Sequence, residues 1–227
     1  MGERETVLSK IRAVLFDIDG TLLDTFDFIY GAFEHAFDVH GIPRLPREEI
    51  SQLMGGPLEE VYSKMAPGHD AATLAETHRQ FQENNLHLTK PFPDTIKVLD
   101  ALKQKGLKLA AITTRSIRTS VLSLEQNGIA HYFDVVISAE DVVHPKPDPE
   151  PLWKALDTME IKPFDAIMIG DTRVDILAGK NAGTKTVAAL YGFGGERLRE
   201  LQPDYAIWEL RQVLNLSAGS DPARKEN

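Results

Sequence analysis

Four aspartates occupy positions from which their carboxylates could share one site. Asp17 and Asp19 are two apart, directly after an apolar run, and Asp171 and Asp175 are four apart, which places them on one face of a helix. Four converging carboxylates would repel one another by ~4 kcal/mol per close pair at an effective dielectric constant of about 20. The pattern therefore predicts a divalent cation. Because the ligands would all be oxygen atoms and the chain has no cysteine, it favours Mg²⁺ over zinc.

Carboxylates arranged around Mg²⁺ indicate phosphoryl transfer. A carboxylate that attacks phosphorus divides hydrolysis into two easier steps through an aspartyl-phosphate. A second carboxyl group nearby can protonate the leaving oxygen and later activate water. Asp17 and Asp19 fit these two roles, so the sequence predicts an enzyme that acts on a phosphate compound.

The elements that must position these residues alternate between strands and helices. Short apolar runs predict buried strands, and helical patterns, most of them ending just before a glycine, lie between the strands. This alternation with short links predicts a doubly wound α/β core whose parallel sheet is covered on both faces. The predicted strands are 13–16, 107–112, 135–137, 166–169 and 186–190, and the predicted helices are 94–105, 116–127, 149–159 and 172–181.

One segment interrupts the alternation. Residues 25–90 carry helix-period apolar patterns without a strand pattern, which predicts an inserted α-helical cap subdomain. The expected hinges are 23–25 and 91–93, where prolines prevent a helix from continuing. We expect a catalytic core of residues 11–23 and 91–216, a helical cap of residues 24–90, and flexible termini at 1–10 and 217–227.

Polar residues follow several predicted strands, at the sheet edge where open α/β folds bind ligands. They are Asp17 and Asp19 after the first strand, Thr113 and Thr114 after the second, Lys146 in a loop after the third, and Asp171 after the fourth.

The composition restricts the partners. With 25 Lys and Arg against 34 Asp and Glu, the net charge of -9 opposes non-specific attraction to nucleic acid or anionic lipid. Residues 1–10 lack the apolar run of a secretory signal, and no stretch approaches about 18 uncharged apolar residues. We expect a cytoplasmic protein, monomeric or homodimeric, whose partner is a small phosphorylated metabolite rather than a nucleic acid or a membrane.

The order and spacing of these motifs resemble those of the haloacid dehalogenase (HAD) superfamily. The matching residues are DIDGTLLDT from Asp17, then Thr113, then Lys146 before Pro147, then GDTRVD from Gly170. The helical insertion resembles the C1 cap of that superfamily. The KPDPEPL segment from Lys146 and the YGFGG segment from Tyr191 resemble phosphoglycolate phosphatase-like members. The resemblance spans about residues 11–215 and implies a Rossmann-like core with a helical cap.

The resemblance implies a catalytic role for four residues. Asp17 would be the nucleophile, and Asp19 would be the general acid and then the general base. Thr113 would donate a hydrogen bond to the phosphoryl oxygens, and Lys146 would neutralise their charge.

The resemblance also implies a Mg²⁺ site. Asp171 would be a direct ligand, together with the carboxylate of Asp17 and the backbone carbonyl of Asp19. Asp175 would complete the acidic site, either through water or by holding Lys146.

Further residues are predicted to shape or line the substrate site. Gly20 and Thr21 would shape the turn after the nucleophile, and a cap loop at 54–57 would face the cleft. Thr114 stands where relatives commonly have asparagine, so a shorter hydroxyl replaces an amide near the leaving group. The predicted phosphate- or substrate-binding residues are Gly20, Thr21, Gly56, Thr113, Thr114, Arg115 and Lys146.

The leading functional prediction is a Mg²⁺-dependent phosphatase that hydrolyses a small phosphomonoester, with phosphoglycolate as the first compound to test. An inorganic pyrophosphatase and a sugar-phosphate mutase like β-phosphoglucomutase are the alternatives with the same core chemistry. A phosphoacceptor signalling domain is less favoured, because such domains are about half this length and carry the acceptor mid-chain. No histidine is predicted to bind metal.

Overall fold

The computed structural model of the protein describes residues 7–216 and contains a six-stranded parallel sheet and a separate antiparallel pair of strands. In chain order the strands are β1 (Ala13–Phe16), β2 (Leu23–Asp24), β3 (Lys90–Pro91), β4 (Lys108–Ile112), β5 (Val135–Ile137), β6 (Ala166–Gly170), β7 (Lys185–Ala189) and β8 (Tyr205–Ile207). The helices are α1 (Phe26–Val39), α2 (Arg47–Leu53), α3 (Leu58–Met65), α4 (Ala71–Asn84), α5 (Thr95–Gln104), α6 (Ile117–Gln126), α7 (Glu150–Thr158) and α8 (Arg173–Ala182).

The strand order of the large sheet is β5-β4-β1-β6-β7-β8. β1 pairs in parallel with β4 on one side and with β6 on the other, and Phe16 lies opposite both Ala111 and Ile169. From β1 the chain first adds β4 and then β5 on one side of the sheet. It then returns to the other side of β1, where it adds β6, β7 and β8. The reversal point of the strand order is therefore at β1, and the carboxyl ends of three central strands meet there.

The side chains of β1 alternate between two apolar clusters. Val14 and Phe16 belong to the cluster that includes residues of α5 and α6, whereas Leu15 belongs to the cluster that includes residues of α7 and α8. All three side chains are fully buried. This double coverage confirms the predicted doubly wound α/β core.

The cap helices α1 to α4 surround an apolar cluster of their own. Its largest buried side chains include Phe28, Phe37 and Tyr62. Phe193, from the loop after β7, joins this cluster, and its ring centroid lies 4.6 Å from that of Phe26. The core thus contributes one aromatic side chain to the interior of the cap.

The two connections between core and cap pair with each other. Leu23 of β2 lies opposite Pro91 of β3, and Asp24 lies opposite Lys90, in antiparallel register. Leu23, Asp24 and Pro91 fall within the segments where hinges are predicted, and Lys90 lies one residue before the second segment. The pairing was not predicted, because two-residue strands carry no periodicity in the sequence.

The amino-terminal segment differs from its prediction. Val7–Lys10 forms a 3-10 turn whose Leu8 is buried in the core, and the backbone N–H of Val7 donates to the carbonyl of Leu216 at 2.7 Å. Because the core holds Leu8, residues 7–10 are part of the fold rather than of a flexible terminus. The predicted flexible residues 1–6 and 217–227 lie outside the described residues.

Among residues 7–216, no helix combines the length and the apolar character needed to cross a bilayer.

Replacement of Leu15 by alanine is expected to destabilise the strand that carries the candidate nucleophile. The side chain is fully buried, and truncating such a leucine costs about 2–5 kcal/mol. Urea denaturation should show this loss, whereas Val143→Ala, at a side chain that is 80% exposed, should leave the midpoint unchanged. Equal midpoints for the two variants would contradict the packing described for β1.

Candidate active site

Three buried aspartates meet at the carboxyl edge of the sheet. Asp17 follows β1, Asp171 follows β6, and Asp175 lies in the first turn of α8. Each offers one carboxylate oxygen within 4.8 Å of the others. The parallel register of β1 and β6 brings Asp17 and Asp171 together, and the start of α8 adds Asp175.

Lys146 supplies a positive charge inside this cluster. Its Nζ donates at 2.6 Å to Oδ1 of Asp17, at 2.6 Å to Oδ1 of Asp175, and at 3.0 Å to the carbonyl of Ile112. Only 2% of the residue is exposed. Burial disfavours the charged amine, but the adjacent carboxylates raise the pKa of Lys146, so it stays protonated.

Asp175 is held by its own helix as well as by Lys146. Its Oδ2 accepts the backbone N–H of Thr172 at 2.9 Å and the Thr172 hydroxyl at 2.5 Å, which completes a capping box at the start of α8. Both oxygens of Asp175 therefore have donors within the protein. Of the two roles left open for Asp175, the geometry shows that of holding Lys146.

Asp171 is oriented by two donors from different segments. Oδ1 accepts the hydroxyl of Thr21 at 2.8 Å, and Oδ2 accepts the backbone N–H of Phe193 at 2.8 Å. Burial raises the pKa of Asp171 well above its ordinary value, and the neighbouring Asp17 and Asp175 raise it further. The carboxylate is rigidly placed in a site that disfavours its negative charge.

The cluster fits a hard divalent cation. Three carboxylates and one ammonium leave an excess of two negative charges when all are ionised. Burial raises the pKa of Asp17 to about 7, and Asp175 and Asp19 add to the rise, while Lys146 opposes it. The ligand atoms are all oxygen, so the three aspartates together could hold Mg²⁺, with Asp17 and Asp171 as the direct side-chain ligands that the resemblance implies.

Asp19 stands apart from the buried cluster. Its Oδ1 accepts Nη1 of Arg115 at 2.9 Å, and only 14% of the Asp19 side chain is exposed. Arg115 is itself anchored by the carbonyl of Thr119 at 2.8 Å and by the Ser123 hydroxyl at 2.9 Å, and its guanidinium lies 4.8 Å from the ring centroid of Phe28. The ion pair orients the Asp19 carboxylate at the edge of the cleft.

A cleft of about 360 Å³ separates the core from the cap. Asp17 and Asp19 lie in its core wall, and the cap contributes the loop at 54–57 and residues of α1, α3 and α4. The volume is sufficient for a small molecule. The carboxylates at the strand ends therefore face a space that a substrate can enter.

The predicted site residues divide into two groups. Gly56, Thr113, Thr114 and Arg115 line the cleft with Asp17 and Asp19, whereas Gly20, Thr21, Lys146, Asp171 and Asp175 lie buried behind them.

Gly20 and Thr21 support the acidic cluster rather than the cleft wall. The Thr21 side chain is fully buried and donates to Asp171. Gly20 has a φ of +82°, and a methyl group there would overlap the Asp171 carboxylate. Both residues contact the candidate metal ligand Asp171, and their contact with substrate stays a prediction.

Three cleft residues on α4 were not predicted from the sequence. His78, Arg79 and Gln82 of α4 all line the cleft. The available signal was that His78 and Gln82 continue the buried stripe of Leu74 and Ala75, so polar residues occupy an apolar face of the helix. That signal indicates an unusual helix face but not which cavity it meets.

Comparison with known proteins shows what the chain is similar to. Residues 14–189 match the profile of the haloacid dehalogenase-like hydrolase family. Pyrophosphatase PpaX of Bacillus velezensis is 35% identical over 210 residues, which cover 92% of this chain and 97% of that protein.

Solved structures show the same architecture. A haloacid dehalogenase-like family hydrolase from Streptococcus pneumoniae superimposes with a TM-score of 0.82 at 29% identity, covering 91% of this chain and 98% of the other. A Haemophilus somnus protein described as a predicted phosphoglycolate phosphatase superimposes with a TM-score of 0.81 at 20% identity, covering 91% of this chain and 97% of the other. The second match shows a shared fold alone.

The affinity for Mg²⁺ is expected to rise with pH. Because burial raises the pKa of Asp17 to about 7, a proton competes with the metal below that pH. Between pH 6 and pH 8 the ionised fraction of Asp17 rises from about a tenth to about nine tenths, so the dissociation constant should fall roughly tenfold. The raised pKa of Asp171 acts in the same direction. If calorimetric titration gave a dissociation constant for Mg²⁺ that did not change with pH, it would contradict the assignment of Asp17 as a metal ligand.

Substitution of Gly20 by alanine is expected to weaken Mg²⁺ binding by about tenfold or more, because the added methyl group displaces the Asp171 carboxylate. Gly106→Ala is the matched control, since Gly106 also has a positive φ of +77° but faces open space. Both variants carry the same backbone strain, so only Gly20→Ala should change the dissociation constant. A similar effect in both would assign the loss to strain alone.

Proposed function

The chain belongs to the haloacid dehalogenase-like hydrolase family and is a phosphoric ester hydrolase, and we propose that it is a Mg²⁺-dependent phosphatase that hydrolyses a small phosphomonoester through a phosphorylated Asp17. The observation that carries the proposal is Asp17 itself. Its carboxylate lies at the floor of the cleft, is held by Lys146, and has Asp19 two residues away on the cleft wall.

In the first step Asp17 acts as the nucleophile. One of its carboxylate oxygens forms a bond to phosphorus while the bond from phosphorus to the leaving-group oxygen breaks. Asp19 gives its proton to that leaving oxygen, so an alcohol departs and a phosphoaspartate remains. Lys146 orients the Asp17 carboxylate from behind, and Thr113 presents its hydroxyl to the phosphoryl oxygens from the cleft wall.

In the second step Asp19 acts as the base. It removes a proton from a water molecule whose oxygen attacks the phosphorus of the phosphoaspartate. The bond from phosphorus to Asp17 breaks, which releases inorganic phosphate and restores both carboxyl groups. Arg115 keeps the Asp19 carboxylate at the cleft throughout, because its guanidinium is anchored to α6.

Mg²⁺, held by Asp17 and Asp171 with the carbonyl of Asp19, would supply charge stabilisation for the phosphoryl oxygens. The two excess negative charges of the buried cluster and its oxygen-only donors support this part of the proposal. Phosphoglycolate remains the first phosphomonoester to test, because of the KPDPEPL and YGFGG segments.

Hydrolysis of inorganic pyrophosphate is the second candidate function. It is favoured by the 35% identity over nearly the whole chain to a protein named pyrophosphatase PpaX. The nucleophile, the acid and the metal site would be the same for both substrates. The two candidates therefore differ only in what the cap side of the cleft must bind.

An Asp17→Asn variant tests the proposed nucleophile. It should lose at least about 10³-fold in the rate of phosphate release from p-nitrophenyl phosphate with Mg²⁺, because an amide cannot attack phosphorus. Asp157→Asn, at an exposed position on α7, should retain the rate of the unmodified protein. Acid-quenched unmodified enzyme should carry phosphate on Asp17. Undiminished turnover by Asp17→Asn would exclude the mechanism.

A further inference from the structure

We propose that His78 and Gln82 form a subsite for an uncharged, hydroxyl-bearing organic leaving group; this inference rests on the proposed phosphatase function. The two residues are one helical turn apart on α4 and line the same cleft as Asp17 and Asp19. Before the first step, when the phosphoryl group of the substrate lies against Asp17, the leaving group bonded to it through oxygen would extend toward this wall of the cap.

The first observation is that both side chains are buried with hydrogen-bonding capacity left over. His78 is 2% exposed and Gln82 is 4% exposed. Within residues 7–216, the amide of Gln82 and Nε2 of His78 have no hydrogen-bond partner. Neither group is among the fully enclosed unpartnered atoms of the described residues, so both retain contact with the cleft, where a ligand can reach them.

The second observation is that the lining of the cleft, on its cap side and its core side, carries no surplus positive charge. Arg79 lines the cleft but is paired with Glu59 at 2.5 Å, and Arg115 is paired with Asp19 at 2.9 Å. Glu140 lines the cleft as well. Among the described residues that line the cleft, each arginine is thus paired with a carboxylate. A second phosphate or a carboxylate on the leaving group would therefore meet no free cation there.

His78 does not supply the missing charge. Its Nδ1 shares a hydrogen bond of 2.9 Å with the hydroxyl of buried Tyr62, and its ring packs edge-on against Phe33. Burial lowers the pKa of His78 to about 3, so the imidazole is neutral in the working pH range. A neutral imidazole and a carboxamide match hydroxyl groups, which both donate and accept.

The remaining cap wall is apolar. Ile29, Phe33, Leu58 and Val61 line the cleft beside the two polar residues. Carbon–hydrogen surface packs favourably there, whereas the compact and highly charged pyrophosphate ion has none to offer. The combination indicates a small polyol or hydroxyalkyl phosphate. It argues against pyrophosphate and against phosphorylated acids, including phosphoglycolate, the compound that the KPDPEPL and YGFGG segments suggest.

The test uses four substrates that share one phosphoryl group and differ in what is attached to it. They are glycerol 3-phosphate, propyl phosphate without the hydroxyls, 3-phosphoglycerate with a carboxylate, and pyrophosphate. The unmodified enzyme with Mg²⁺ should give glycerol 3-phosphate a kcat/KM about tenfold or more above each of the others. A higher kcat/KM for pyrophosphate or 3-phosphoglycerate would overturn the inference.

Variants at Gln82 connect this preference to the subsite. Gln82→Leu should reduce the ratio of kcat/KM between glycerol 3-phosphate and propyl phosphate toward one, because the amide is lost. Gln82→Lys should instead raise the ratio of kcat/KM for 3-phosphoglycerate to kcat/KM for glycerol 3-phosphate, because the new ammonium group pairs with the carboxylate of 3-phosphoglycerate. Gln80→Leu is the matched control, since Gln80 is exposed on the same helix, and its ratios should equal those of the unmodified enzyme.

The ratios are measured within each variant, so a change in folding or metal content cancels. Unaltered ratios in both Gln82 variants would refute the subsite even if the phosphatase function held. Absence of any hydrolysis of p-nitrophenyl phosphate by the unmodified enzyme would instead refute the proposed function. The two failures are therefore distinguishable.

Discussion

The mutual repulsion of three carboxylates that are almost completely buried is the constraint on which the rest of the structure depends. A protein tolerates such a cluster only where neighbouring groups hold and partly neutralise it. Lys146 bridges Asp17 and Asp175, the capping box of α8 takes the second oxygen of Asp175, and two donors fix Asp171. The sheet, the helix start and three separate loops all contribute to one small volume, whose remaining negative charge would attract a cation, and the cation would in turn attract a phosphate.

The cap encloses the space above these carboxylates. It closes a space over the carboxylates while keeping its own apolar core, and it presents to that space a wall in which charges are paired. In the proposed function, the core supplies strong electrostatics that can act on any phosphoryl group, and the cap supplies weaker, shape-dependent contacts that distinguish what is attached to it.

The sequence was sufficient to predict five strands of the sheet and the strand-end residues, because buried parallel strands are apolar throughout and stop abruptly at Asp17, Thr113 and Asp171. It was insufficient for contacts between distant segments that have no periodic signature. The pairing of Arg115 with Asp19 joins residues 96 positions apart, and β8 is a three-residue edge strand. His78 and Gln82 were missed for the same reason, since a helix pattern reveals its buried face but not what lies opposite.

Phe193 contacts both the candidate metal ligand in the core and the apolar interior of the cap. Its backbone N–H is a donor to Asp171, and its ring is part of the apolar interior of the cap beside Phe26 and Tyr30. A displacement of the cap must either withdraw from that ring and expose it or carry the ring along and strain the bond to Asp171. Phe193 therefore connects the cap directly to the candidate metal ligand Asp171, so that a movement of the cap would shift the donor to that carboxylate.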